Sequence, residues 1–218
     1  MVATPCVGGI LRNDRLDLAA SETAEQIMGM PAAADGRWTA AEVRALMDDS
    51  RPSPRYELVD GELLVTPSPR PVHQWVVRLL DRLLDDYVAR HGLGYVLASP
   101  ADLELEPESI VQPDLFVIPA GEERPTTSWA VVRRLLLAVE VLSPSSGRID
   151  RVIKRRFLQR VGVPEYWVVD PDARLVERWM PDDERPEILD ERLVWQPAGA
   201  PDVLVIDLAA LFRGAWGE

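Results

Sequence analysis

The order of apolar and polar residues along the chain predicts a series of helices, strands and tight turns. Residues 1–37 show no sustained period, and we expect an N-terminal extension there with one short helix near 21–28. Thr39 and Glu42 have the spacing of a capping box and predict a helix through about residue 48. Apolar residues at helical spacing predict a longer helix over 72–91, which Gly92 ends.

Other segments have the two-residue period or the continuous apolar character of β-strands. The segments 56–59 and 62–66 flank Asp60 and Gly61, a pair that favours a tight hairpin turn because both residues tolerate positive φ. Residues 135–142 are apolar almost throughout, which is typical of a central strand covered on both faces. Further strands are predicted at 94–98, 101–106, 114–118, 165–169, 175–180, 192–195 and 203–206.

A second long helix is predicted between the strands at 135–142 and 165–169. Residues 149–161 would turn Val152, Ile153, Phe157 and Val161 inward. A strand, a helix and a strand in this order favour a parallel crossover, and Asp207 is expected to cap a last short helix. The predicted fold is therefore α/β, with a mixed β-sheet flanked by helices over residues 38–218.

Composition narrows the class of protein. No apolar run approaches the roughly 18 residues of a membrane span, and a single cysteine cannot form an internal disulfide, so we expect a soluble cytoplasmic protein. The net charge of −12 argues against a protein that coats nucleic acid with a broad basic surface. A polyanionic substrate would need a local basic patch, and residues 148–160 carry six basic side chains against one acid. These charges are also typical of a solvated helix face.

Glu140 is the most unusual residue of the apolar segment 135–142, because it lies between Val139 and Val141. A carboxylate removed from water costs several kcal/mol unless a cation or good hydrogen bonds compensate it. Asp114 begins a neighbouring predicted strand, and two adjacent carboxylates repel unless a cation lies between them. The pair is therefore a candidate site for a hard divalent ion. An arginine partner for Glu140, or a solvated sheet edge, is the alternative.

Lys154 is the only lysine among the 24 basic residues of the chain. An ammonium differs from a guanidinium because it is a compact point charge that fits beside a water or a phosphate oxygen. Lys154 lies in the helix directly after the strand of Glu140, and Asp150 lies one turn earlier. The ammonium is thus a candidate for orienting water or for stabilising charge on phosphorus.

These residues, taken together, resemble a known family. The matching segments begin near Tyr56 and include His73 and the pair Pro113 and Asp114. They continue with Glu140 and the Val-Leu-Ser-Pro-Ser-Ser that follows it, and then with Asp150, Lys154 and the stretch 162–171 (GVPEYWVVDP). Over residues 55–180 the chain resembles a large bacterial group of restriction-endonuclease-like proteins within the PD-(D/E)XK nuclease superfamily. The resemblance implies a restriction-endonuclease-like fold and a Mg²⁺- or Mn²⁺-dependent hydrolysis of phosphodiester bonds in DNA.

The resemblance also implies roles for individual residues. Asp114 and Glu140 would bind the metal, and Lys154 would replace the motif lysine, because position 142 is Leu.

Glu62 is a possible third ligand or an exposed strand residue, and Glu57 has the same two interpretations. His73 would contact substrate, or else cap a helix or lie at the surface.

Two further expectations concern partners. Asp150, Arg151 and Arg155 would lie near the substrate, and a homodimer is expected because cutting two strands often uses two centres. A non-catalytic DNA- or protein-binding module on the same fold is the competing hypothesis, since the lysine is displaced and the chain is acidic.

Overall fold

The structure is a computed structural model that describes residues 10–11, 36–49 and 54–218. The short helix expected near residues 21–28 lies outside the described residues. Within the described ranges, no helix is both long and apolar enough to cross a membrane.

A helix and a small antiparallel sheet form the N-terminal part of the described chain. The elements are β1 (Ile10–Leu11), α1 (Ala40–Asp49), β2 (Arg55–Val59) and β3 (Glu62–Thr66), and the strand order is β1-β3-β2. The capping box is confirmed, because the Thr39 N–H donates to a Glu42 carboxylate oxygen at 2.8 Å. The predicted hairpin is confirmed as well, with φ of 53° at Asp60 and 76° at Gly61.

A six-stranded sheet forms the centre of the molecule. After the long helix α2 (Pro71–His91), its strands follow in chain order as β4 (Gly94–Ala98), β5 (Leu115–Pro119), β6 (Leu137–Val141), β7 (Tyr166–Asp170), β8 (Leu175–Trp179) and β9 (Glu187–Leu189). Neighbouring strands are antiparallel except for β6 and β7, which are parallel as predicted. A π-helix (Ile149–Lys154) that continues into α3 (Arg155–Arg160) connects β6 to β7.

The C-terminal segment adds a ribbon and a helix to one face of this sheet. Strands β10 (Arg192–Trp195) and β11 (Leu204–Asp207) pair antiparallel, and α4 (Leu208–Trp216) follows. Asp207 caps α4 as expected, because its carboxylate accepts the Ala210 N–H at 2.7 Å. Helix α4 packs against α2, and together they cover that face.

Side chains of the sheet alternate between two hydrophobic cores, as the two-residue period of a strand requires. One core lies under α2, α4 and the ribbon, and it contains Val139 and Val141 of β6. The other lies under the hairpin, the π-helix and α3, and it contains Ala138 and Leu142. Glu140 shares the parity of Ala138, so its carboxylate faces the hairpin and the π-helix.

One predicted strand is absent, and one predicted helix differs in detail. Residues 101–106 do not form a strand, since only Leu103 makes a bridge, to Val111, although Leu103 is buried and Asp102 exposed as the alternation indicated. Pro107 and a positive φ of 57° at Glu108 turn the chain before a ladder can extend. The predicted helix after β6 is present, with Phe157 buried and Ile153 and Val161 packed against the core. It begins as a π-helix, however, whose wider turn also buries Asp150 and Lys154 and leaves Val152 partly exposed.

Candidate active site

A small cleft lies where the hairpin, the start of β5, the end of β6 and the π-helix meet. Its volume is about 90 Å³, which is room for an ion with a few waters and too little for a nucleotide. Charged and polar side chains dominate its walls. The lining residues are Arg55, Glu57, Thr66, Pro67, Ser68, Pro69, His73, Asp114, Glu140, Val141, Ser143, Ser146, Asp150 and Lys154.

Asp114 and Glu140 are brought together by the register of β5 and β6. Leu115 pairs with Val139 in this antiparallel ladder, so the next pair of positions along it is Asp114 and Glu140. Both side chains therefore leave the sheet on the same face. The Val141 N–H donates to Oδ2 of Asp114 at 2.9 Å, which ties the end of β6 to this carboxylate.

Asp114 is held by two further donors. Arg55 donates from a guanidinium nitrogen to Oδ1 at 3.0 Å, and His73 Nε2 lies 2.9 Å from Oδ2. Burial by itself would raise the pKa of Asp114, but His73, Arg55 and the Val141 N–H together lower that pKa well below its ordinary value. His73 is only 5% exposed, so it is neither a surface residue nor a simple helix cap.

Lys154 lies in the middle of the carboxylates and is 1% exposed. Its Nζ is 2.9 Å from Oε1 of Glu57 and 3.9 Å from Oδ1 of Asp150, and it forms an ion pair with Glu140. Burial would lower the pKa of Lys154, but Glu140, Glu57 and Asp150 outweigh burial and raise that pKa. The ammonium therefore stays protonated at every physiological pH.

The carboxylates of Glu140 and Asp150 have too few hydrogen-bond donors and cations around them to offset the cost of their burial. Burial raises the pKa of Glu140 well above its ordinary value; Lys154 opposes this rise, and the charges of Asp114, Asp150 and Glu57 add to it. Burial also raises the pKa of Asp150 to about 6, although Lys154 and a Ser146 hydrogen bond oppose it. Oε1 of Glu140 is buried and, apart from its ion pair with Lys154, makes no well-aligned hydrogen bond.

The charge balance of the cleft fits a divalent cation. Four carboxylates, those of Glu57, Asp114, Glu140 and Asp150, surround only two permanent cations, Arg55 and Lys154. Among the described residues, no three acidic, His or Cys side chains converge as a ready-made metal cage. Mg²⁺ needs only one or two protein carboxylates, since waters and substrate oxygens complete its shell, so Asp114 and Glu140 are suitable ligands.

The structure brings together most of the side chains singled out from the sequence. Asp114, Glu140, Lys154, His73 and Asp150 all line the cleft. Leu142, at the motif position where lysine would stand, is buried in the core on the α3 side of the sheet.

Three candidates lie elsewhere. Arg151 binds Glu177 and Asp170 at 2.6 and 3.0 Å, and the guanidinium of Arg155 stacks 4.5 Å from the ring centroid of Trp179. Glu62 pairs with Val59 at the turn end of the hairpin, away from the cleft.

Arg55 lines the cleft although the sequence analysis did not single it out, and Glu57 lines it although the sequence did not distinguish Glu57 from Glu62. Glu57 is 1% exposed, and its Oε1 accepts the Gln112 N–H at 2.6 Å. Glu57 and Glu62 lie on the same face of the hairpin, but Glu62 lies about 7 Å further towards the turn. The distance of each acid from the turn at Asp60 and Gly61 distinguishes the two only when it is known that the open end of the hairpin reaches β6.

Comparison with solved structures identifies a similar fold. A crystal structure titled as that of "a putative nuclease belonging to DUF820" from Anabaena variabilis superposes with a TM-score of 0.67 at 19% sequence identity. The match covers 82% of this chain and 99% of that one. A search of curated proteins gave no match. The mixed α/β architecture of this chain is therefore the restriction-endonuclease-like fold expected from the sequence.

Comparison with sequence models of protein families identifies the family of this chain. The sequence model of the family Uma2, described as "Putative restriction endonuclease", matches residues 40–209. This range includes every cleft residue named above, from the hairpin to the helix of Lys154. The chain belongs to the Uma2 family of restriction-endonuclease-like proteins.

Proposed function

We propose that this protein is a metal-dependent endonuclease that hydrolyses phosphodiester bonds in DNA. Asp114 and Glu140 bind Mg²⁺ or Mn²⁺, and Lys154 orients the attacking water or the scissile phosphate. The observation that carries the proposal is the position of the only lysine, buried between Glu57 and Glu140 in the same cleft as Asp114. Membership of a family described as "Putative restriction endonuclease" agrees with this chemistry.

The protein groups of the cleft have separate tasks in this mechanism. Arg55, His73 and the Val141 N–H fix the Asp114 carboxylate in its ionised form, so it is oriented before substrate arrives. Glu57 and Glu140 hold the Lys154 ammonium without a water shell. An ammonium that is fixed in place and shielded from water stabilises negative charge on a phosphoryl group better than the same charge would in bulk water.

Hydrolysis adds water across one P–O bond. The water oxygen bonds to phosphorus, the bond from phosphorus to a sugar oxygen breaks, and that oxygen takes up a proton to leave as a hydroxyl. A bound divalent ion would supply Lewis acidity and a more acidic water. Asp114 and Glu140 would supply oxygen ligands for this ion. Lys154 adds its positive charge to those of the ion and of Arg55.

A nicking assay tests the proposal. We expect the full-length protein to nick supercoiled plasmid with Mg²⁺ or Mn²⁺, and we expect both Glu140→Gln and Lys154→Met to abolish the nicking. Glu123→Gln and Arg185→Met change the same charges at exposed positions and should cut like the unmodified chain. Circular dichroism must show that each variant is folded. Nicking that persists equally in the two cleft variants would mean that a contaminant cuts the plasmid.

The competing function is a binding module without catalysis. Two observations favour it: Leu142 stands at the motif lysine position, and Lys154 is already engaged by three carboxylates. A folded chain that retards DNA in a gel but never nicks it with either metal would select this alternative.

A further inference from the structure

An apolar surface lies on the face of the sheet opposite the cleft. Trp75, Leu79 and Leu83 form a stripe along α2 at helical spacing, and Trp75 is 53% and Leu83 38% exposed. The stripe borders a groove of α2, β11 and α4, of which Val205, 49% exposed, and Ala210 form the other wall.

The ribbon extends this surface. Val205 pairs with Val194 across the two strands, and Val194 and Val203 are exposed as well. A contiguous apolar patch of this kind marks an interaction surface. We call it the α2–β11 face, defined by Trp75, Leu79, Leu83, Val194, Val203, Val205, Ala210 and Gly214.

Two charges at the C-terminal end of the stripe indicate what binds there. Arg82 and Asp86 are both exposed and line the groove, one helical turn apart. Within residues 10–11, 36–49 and 54–218 neither forms an ion pair. A two-fold axis that crosses α2 between them would set each Arg82 opposite the Asp86 of a second copy. The charges are therefore self-complementary, as an isologous interface requires.

We propose that the α2–β11 face is a homodimer interface in which two copies of α2 lie antiparallel. Leu83 lies next to the axis and Leu79 lies more than one helical turn from it, both beside the groove, and two reciprocal pairs of Arg82 and Asp86 fix the register. A single apolar patch with no charges of its own would bind many partners. The alternation of opposite charges along one helix selects a second copy in one orientation. This inference is independent of the proposed nuclease activity.

Sedimentation equilibrium of the full-length chain tests the interface. We expect a dimer, and we expect Leu83→Glu and Val205→Glu each to shift it to monomer. Ile188→Glu is the matched control, because Ile188 is 54% exposed on β9 outside the α2–β11 face and should leave the dimer intact. A wild-type monomer at high concentration overturns the proposal. So does a dimer that survives both substitutions on the face or is lost with Ile188→Glu.

A charge swap tests the reciprocal pairing itself. Arg82→Glu and Asp86→Arg should each weaken the dimer about tenfold or more, because each places like charges opposite one another. The double variant R82E/D86R restores opposite charges and should dimerise like the unmodified chain. An equimolar mixture of the two single variants should form heterodimers. A double variant that is as weak as the single ones would show that Arg82 and Asp86 do not meet across the axis.

Discussion

Nζ of Lys154 lies 2.9 Å from Oε1 of Glu57, although 97 residues separate the two in the chain. The contact joins the π-helix to the hairpin across the cleft. Because both side chains are 1% exposed, little water can replace either partner if the other is lost. The hairpin therefore does more than cover the sheet, since it supplies the carboxylate that fixes the position of the only lysine.

The first prediction concerns this contact. Glu57→Ala should lower the free energy of unfolding by about 2–3 kcal/mol, because it leaves the buried Lys154 ammonium short of a partner and the Gln112 N–H without an acceptor. Glu57→Gln should cost less, since an amide oxygen can still accept from Gln112. Urea denaturation measures both. Glu123→Ala, at an exposed position, should change stability by less than about 0.5 kcal/mol. Equal costs at the two glutamates would contradict the buried pairing.

The second prediction concerns pH. Because burial raises the folded-state pKa of Asp150 from 3.8 to about 6, its ionised form is disfavoured in the folded protein. Ionised Asp150 therefore destabilises the folded protein above about pH 6. As pH falls through 6 towards 4, the folded state binds a proton before the unfolded state does, and this cost is relieved.

Asp150→Asn should therefore raise the free energy of unfolding at pH 7.5, by on the order of 2 kcal/mol. The gain should disappear by about pH 4, where both proteins carry an uncharged group at this position. Urea unfolding at several pH values measures it, with Asp190→Asn as an exposed control that should show no such trend. A gain that is constant with pH would mean that packing, and not charge, is responsible.

Much of the fold could be predicted because local signals agreed with the final structure. The capping box at Thr39, the turn at Asp60 and Gly61, and Gly92 at the end of α2 each act through neighbouring residues alone. Glu140 was found because a single acid in an apolar strand requires compensation. Lys154 was found because it is the only lysine.

Other features depended on tertiary structure and could not be predicted. A period of 3.6 residues turns Val152 inward, but the carbonyl of Asp150 accepts from the Arg155 N–H five residues later, and the wider turn brings Asp150 and Lys154 to the cleft. Glu57 and not Glu62 reaches the cleft because the open end of the hairpin meets β6. No local sequence pattern shows which end of the hairpin does so.

The last prediction concerns metal binding without reference to catalysis. If Asp114 and Glu140 bind the ion only in the folded state, millimolar Mn²⁺ should raise the melting temperature of the full-length chain. At 100 times Kd the stabilisation is about 2.7 kcal/mol. Asp114→Asn should abolish the shift because a ligand charge is lost, whereas Glu123→Gln should keep it because Glu123 is exposed outside the cleft. Sodium chloride at matched ionic strength should have little effect, since a screening effect would be shared by all salts. An equal shift in Asp114→Asn would place the bound ion elsewhere on this acidic surface.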